Sequence, residues 1–372
     1  MKRLVTFATL GAIIFLSSAV QPAMADTSTV MELDRGEPFD AMASQGGVLF
    51  VGQSRENFNS HYAIHVLDSA QKLVRTIPMT HSVEHIYPYG SDSVIAMGTA
   101  IQPNLRHYTI ITIRGRAFDV RDHTVPVTAW GNDWLGTYGG KEYFADMGGN
   151  TNDDETTSNP NLDAQTIFSV DPYGRARYLP VRLVGSMNGL FVGDQLLVNH
   201  LFDIRNGLRN IHRVNITTGQ HDELFVAPRA RIWDFLTVDG NILAVAEAGG
   251  NRVIFVDRIT KQIKTELSVE GEPRSLARVG HCLLVGSRES KSVTVISVRD
   301  PLSPAITGSI DFSTTGGAFR VLDKITVDQQ SGRVYGRSAV PCNPIIETCE
   351  KSWNSVVVSS QDDAVLVKAQ CL

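Results

Sequence analysis

The phrase Gly-Glu-Pro occurs twice in the sequence, at Gly36-Glu37-Pro38 and at Gly271-Glu272-Pro273. Each copy leads into an apolar run that ends in glycine and is followed by Ser-Arg-Glu. The first run is Gly47-Val48-Leu49-Phe50-Val51-Gly52, before Ser54-Arg55-Glu56. The second is Cys282-Leu283-Leu284-Val285-Gly286, before Ser287-Arg288-Glu289. Distant segments that read alike mark one supersecondary unit used repeatedly, and such a unit constrains the fold more than any single motif.

Helical periodicity is nearly absent. What recurs is a short β-rich run, a Gly/Asp/Asn turn and another β-rich run. The clearest copy begins with Ile232 to Val238 and the turn Asp239-Gly240-Asn241. Ile242 to Ala246 follows, then Ala248-Gly249-Gly250-Asn251, then Val253 to Asp257 and Ile263 to Leu267. Four strands in succession make one blade of a β-propeller. Similar units fall at 37–80, 81–126, 127–183, 184–228, 229–271, 272–317 and 318–372. The expectation is an all-β propeller of seven four-stranded blades, with six or eight as the neighbouring counts. The third unit is long because it holds a polar stretch, Asn150 to Asp163. Asp153, Asp154 and Glu155 there lack EF-hand spacing, so the stretch reads as a solvated loop. Ring closure has two readings. Thr29 to Leu33 precede the first Gly-Glu-Pro as Ile263 to Leu267 precede the second, and so suit an outer strand of the last blade. Ala364-Val365-Leu366-Val367 offers that blade an outer strand of its own.

The first residues read as a targeting segment. Lys2 and Arg3 open it, residues 4–20 are almost wholly apolar or small, and Ala23-Met24-Ala25 fits small-x-small cleavage. The expectation is a removed leader at 1–25, a mature single domain at 26–372 beginning with Asp26, and a bacterial periplasmic or secreted location. No second long apolar run follows. The formal charge of −5 argues against a nucleic-acid partner, and no basic stripe interleaved with aromatics appears. In an oxidising compartment Cys342 and Cys349 are the expected disulfide, closing a short loop. Cys282 sits in a strand-like run and reads as a small core residue. Four cysteines allow three connectivities, so a Cys282–Cys371 bridge stays open.

In a propeller the innermost strands begin near one mouth of the central channel, so residues at those starts converge although they lie ~45 residues apart. Here they are Glu37 and Asp40, Glu84 and His85, Asn132 and Asp133, Asn188, Asp234, and Glu272 and Arg274. The ring is rich in carboxylate and amide oxygens, the ligands hard cations such as Ca²⁺ prefer. Trp130, Trp134 and Trp233 lie near the same starts and suit either a pocket wall or packing between blades. No Gly-x-Ser-x-Gly elbow and no P-loop lysine occurs.

Met187-Asn188-Gly189-Leu190 resembles the Asn-Gly-Leu entry of the calcium-dependent gluconolactonase, regucalcin and paraoxonase-like hydrolases. Asn132-Asp133 before Tyr143-Phe144-Ala145, Asp234 before Leu236 to Gly240, and Glu37 before Pro38 are similar to three further phrases of that family, in the same order. The resemblance spans residues 36–240. It implies that Glu37, Asn132, Asn188 and Asp234 hold Ca²⁺, and that the ion polarises a lactone or ester carbonyl. Asp234 would serve as ligand and base, and His85 is the nearest independent base. That family has six blades, and a Gly where this chain has Phe235. The repeat is also similar to that of bacterial YVTN-type propellers, which implies a non-catalytic scaffold that binds an envelope protein or another ligand.

Overall fold

The computed structural model describes residues 28–32, 39–53, 62–98, 106–125, 132–146, 167–181, 183, 186–200, 210–229, 231–288, 290–312, 321–339 and 354–372. Within these the chain forms seven four-stranded antiparallel sheets. In six sheets the strands are consecutive in sequence and neighbours in space. The seventh is closed from the other end of the chain. Strand Ser28–Glu32 pairs with Asn354–Val358 and forms the outer edge of the last blade. The architecture is a seven-bladed β-propeller, and the predicted blade boundaries enclose six of the sheets; the seventh takes its outer strand, Ser28–Glu32, from outside them. The alternative closure is corrected: residues 364–367 are not a strand but lie within the helix Gln361–Cys371.

The recurring apolar runs are the second strands of the blades. Strand Ile242–Glu247 is buried along its whole length, and the two-residue period divides it between two neighbours. Ile242, Ala244 and Ala246 join a core cluster with Leu276, Leu283 and Val285 of the next blade. Leu243 and Val245 join another with Leu197, Ile211 and Phe225 of the preceding blade. A strand buried on both faces reads as a continuous hydrophobic run rather than an alternating one. Among the described residues the core divides into seven such clusters, one at each interface between neighbouring blades. The cluster of Met42, Leu49 and Val51 with Tyr335, Val356 and Val358 joins the last blade to the first.

The glycine that ends each apolar run has a packing reason. A Cβ on Gly52 would collide with Val83 of the next blade, and one on Gly286 would stand 2.8 Å from Ile325 Cγ2 of the next. Only a residue without a side chain lets the blades approach this closely at the channel end of the second strand.

The helix Gln361–Cys371 follows from local chemistry that the Ala-Val-Leu-Val run conceals. Ser360 caps it, its hydroxyl accepting the Asp363 N–H at 3.0 Å. Asp362 and Asp363 sit in the first turn and Lys368 in the last, as the helix dipole favours. Ala364, Val367 and Cys371 form its buried stripe. Cys371 is disulfide-bonded to Cys282 of the sixth blade. Cys282 is a buried core residue, as its strand-like run suggests, and of the connectivities left open the Cys282–Cys371 bridge is the one formed. His281 N–H donates to the Cys371 carbonyl at 2.7 Å, and Gly280 (φ +50°) leaves no room for a Cβ against that same carbonyl. Cys342 and Cys349 lie outside the described residues, as do the polar stretch 150–163 and the predicted leader. Among the described residues no helix is long and apolar enough to cross a membrane.

Candidate functional site in the central channel

The innermost strands are Phe39–Gln45, His85–Tyr89, Asn132–Tyr138, Ser186–Val192, Ile232–Thr237, Pro273–Val279 and Val321–Val327. All but His85–Tyr89 slip register against their neighbour near the channel-mouth end. A bulge of this kind inserts one residue and turns the side chains beside it. The strands enclose a cavity of about 710 Å³, lined among others by Glu84, His85, Asn188, Trp233, Asp234 and Arg274. The sequence-derived ring therefore does converge at these positions. Glu37 lies outside the described residues. Asn132 begins its inner strand opposite Asp146, and of its side chain nothing is described.

Asp234 follows the bulge of its strand. One carboxylate oxygen accepts the Phe235 N–H and the other accepts the Leu276 N–H of the next blade, both at 2.8 Å. Ser275 occupies the equivalent place one blade on, and its hydroxyl accepts the Ile325 N–H at 3.2 Å. Asp234 is thus one rung of a clasp that ties inner strands together around the channel. Burial pushes its carboxyl up to about 6, although the two N–H bonds and the charge of Lys324 favour the anion. Asn188 is also a clasp: its Nδ2 donates to the Trp233 carbonyl of the next blade. Behind it, Asn199 Oδ1 accepts the Asn188 N–H at 3.0 Å, and Asn199 Nδ2 donates to the Ile232 carbonyl at 3.3 Å.

The same place in the last blade is taken by Lys324, after the slip between Leu322 and Lys324. An ammonium cannot accept an N–H, so a cation faces the channel at this place, and the tie to the first blade is made two residues on, where Thr326 Oγ1 accepts the Ser44 N–H at 3.1 Å. Its Nζ lies 5.8 Å from the Tyr87 ring centroid. Arg337, from the second strand of the same blade, lines the cavity too.

In the second blade His85 and Tyr87 stack with ring centroids 5.9 Å apart. The buried Asp133 of the third blade accepts the Tyr87 hydroxyl at 2.6 Å and stands 3.5 Å from His85 Nε2. Burial holds the His85 imidazole below its ordinary value, with Lys324 acting in the same sense and Asp133 against it. Burial and the Asp133 charge push the Tyr87 phenol well up. Near the mouth, Arg274 lies 4.2 Å over the Trp233 ring and bonds Glu272 at 3.1 Å. Arg231 and Arg288 approach that carboxylate at 3.8 and 3.9 Å.

Sequence reasoning missed Tyr87, Lys324 and Arg337. No candidate was taken from the last blade, where Lys324 offers an ammonium and not the carboxylate or amide oxygen by which the other starts were picked out. Counting one repeat onward from Ser275 would have reached Lys324. Among the described residues no three His, Cys, Asp or Glu side chains stand together as ligands for an ion.

No family model matches the sequence, and no curated protein matches it. Solved structures do. The crystal structure of RRP9 WD40 repeats has a TM-score of 0.62 at 10% identity, covering 91% of this chain and 98% of that one. A chain of the mitotic checkpoint complex gives 0.56 at 9% identity, covering 96% of this chain and 98% of that one. The hydrazine synthase of Kuenenia stuttgartiensis gives 0.55 at 15% identity, covering 82% of this chain and 94% of its own. At such identities the likeness shows the fold alone: a seven-bladed propeller structurally like WD40-repeat proteins.

Proposed function

We propose that this protein is an exported binding propeller whose central channel takes a small anionic ligand. The observation that carries the reading is the charge of the channel wall. Arg274, Arg278, Lys324 and Arg337 line it against the two carboxylates Glu84 and Asp234, in a chain whose formal net charge is −5. An excess of one sign in a cleft with low-dielectric walls concentrates counter-ions. Both Asp234 oxygens already accept backbone N–H groups, so that carboxylate holds strands together as well as contributing charge. Arg274 and Arg337 offer the planar, paired N–H groups that fit carboxylate or phosphate. Export is supported by the leader-like first residues and by the Cys282–Cys371 disulfide, a bond that persists in oxidising compartments. Titration with citrate and with inorganic phosphate, read by calorimetry and melting, tests the binding. Saturable binding that Lys324→Met and Arg337→Met each weaken ~tenfold is expected. Absence of binding by either anion at millimolar concentration would overturn it.

A second reading, a calcium-dependent lactone or ester hydrolase, is favoured by one arrangement. His85 faces the channel with Asp133 behind it, beside Asn188 and Asp234. A carboxylate-oriented imidazole is the arrangement a water-activating base needs. Calcium titration decides this one. Stabilisation by Ca²⁺ together with EDTA-sensitive lactonase activity supports it, and the lack of both removes it.

A further inference from the structure

A second constellation lies far from the channel, on the outer strand pair of the fourth blade. His212 is in strand Asn210–Asn215 and His221 in strand His221–Val226. His221 is the cross-strand partner of Val214, two residues from His212, so the strand period puts both imidazoles on one face. Their Nδ1 atoms are 3.3 Å apart, with ring planes inclined at 61°. Two ring nitrogens at this distance share a proton: one donates its N–H to the lone pair of the other, so both cannot carry a proton there. A metal ion can take that proton's place. With metal–nitrogen bonds of about 2.0–2.1 Å, two ligands on a tetrahedral ion stand about 3.3–3.4 Å apart. The pair is thus spaced as one edge of a zinc tetrahedron.

We propose that His212 and His221 together bind one borderline divalent cation, Zn²⁺ or Ni²⁺, through their Nδ1 atoms. Imidazole nitrogens select these ions over Ca²⁺ and Mg²⁺. Glu223 is the register partner of His212 and shares the face of His221. It is exposed and accepts the Asn210 amide at 2.7 Å, which makes it an outer partner near the pair and not a third ligand. The remaining positions are open to solvent, because His221 is exposed. With two imidazoles at its heart this is a clamp with open positions, not a closed structural centre. Both Nδ1 atoms must be free of protons to bind, so affinity falls in acid.

Calorimetric titration of the intact protein with zinc chloride and nickel chloride tests the proposal. One equivalent of Zn²⁺ is expected to bind, with affinity lowered ~tenfold or more in His212→Gln and in His221→Gln. Metal-free melting of both variants should match the parent, since neither side chain belongs to an inter-blade cluster. The parent should lose ~tenfold in affinity between pH 7.5 and 5.5. Calcium should not compete, which separates this site from any calcium in the channel. Unchanged zinc affinity in the double variant, a pH-independent affinity, or no binding at ~1 mM zinc would each overturn it.

Discussion

The carboxylate of Asp234 and the backbone N–H of Leu276 meet at 2.8 Å across the boundary between the fifth and sixth blades. One side chain therefore serves both as part of the channel wall and as a tie between inner strands.

That tie has a pH signature. The Asp234 carboxyl is raised from 3.8 to about 6 in the fold, chiefly by burial. Between those values the folded chain binds more protons than the unfolded chain, so this group's contribution falls as pH rises from about 4 to 6 and then levels off. The loss is about 2–3 kcal/mol at most. Urea unfolding at pH 4.5 and 7.5 should show it, and Asp234→Asn should flatten this component. The Asn variant should also lose about 1–3 kcal/mol at pH 4.5, where the acid is largely neutral, because an amide cannot accept both N–H groups. A parent whose pH dependence the variant reproduces would contradict the assignment.

Reducing the Cys282–Cys371 bond should release the C-terminal helix. The bond joins residues 89 apart in sequence, and opening such a loop costs about 2–5 kcal/mol. Cys371→Ser should lower the urea midpoint by a comparable amount and expose the helix to trypsin at Lys368. An unchanged midpoint would show that packing alone holds the helix.

Deleting residues through Glu32 removes the outer strand of the last blade. A ladder of this length is worth about 2–4 kcal/mol, at about 1 kcal/mol per hydrogen bond. It also leaves Asn354–Val358 as a bare edge open to pairing between molecules. Lower stability and concentration-dependent association by light scattering are expected.

Gly98→Ala should cost about 3 kcal/mol, because its Cβ would overlap the Ser82 carbonyl, which leads into the second blade. Gly308→Ala is the control. Nothing lies within 4 Å of a Cβ there, so its melting temperature should stay close to that of the parent.

Most of the ring of inner-strand starts was legible in the sequence because a repeat fixes equivalent positions without knowledge of contacts. His85, Asn188, Asp234 and Arg274 were found in that way, and all four line the cavity. What they do there was not legible. Asn188 and Asp234 were read as oxygen donors for an ion. Each has donors or acceptors within reach on the next blade, and such partners are invisible until two blades are set side by side. Lys324 was missed because the ring was assembled from oxygen-bearing side chains and no start was assigned in the last blade, yet its charge bears on both His85 and Asp234.

The sequence by itself determined the all-β class and the four-stranded unit, and pointed to seven copies with six or eight left open. These follow from turn residues and from second strands buried on both faces, which are local properties of each repeat. The tertiary structure decided the closure, the disulfide and the charge of the site. Ser28–Glu32 and Asn354–Val358 are at opposite ends of the chain, and no local preference can state that they pair. Residues 364–367 have strand-like side chains but lie in a helix, because Ser360 caps it and the sixth and seventh blades receive its apolar stripe. The helix then brings Cys371 to Cys282. The last blade adds to the cations of the channel wall by putting Lys324 where its neighbours place Asp234 and Ser275.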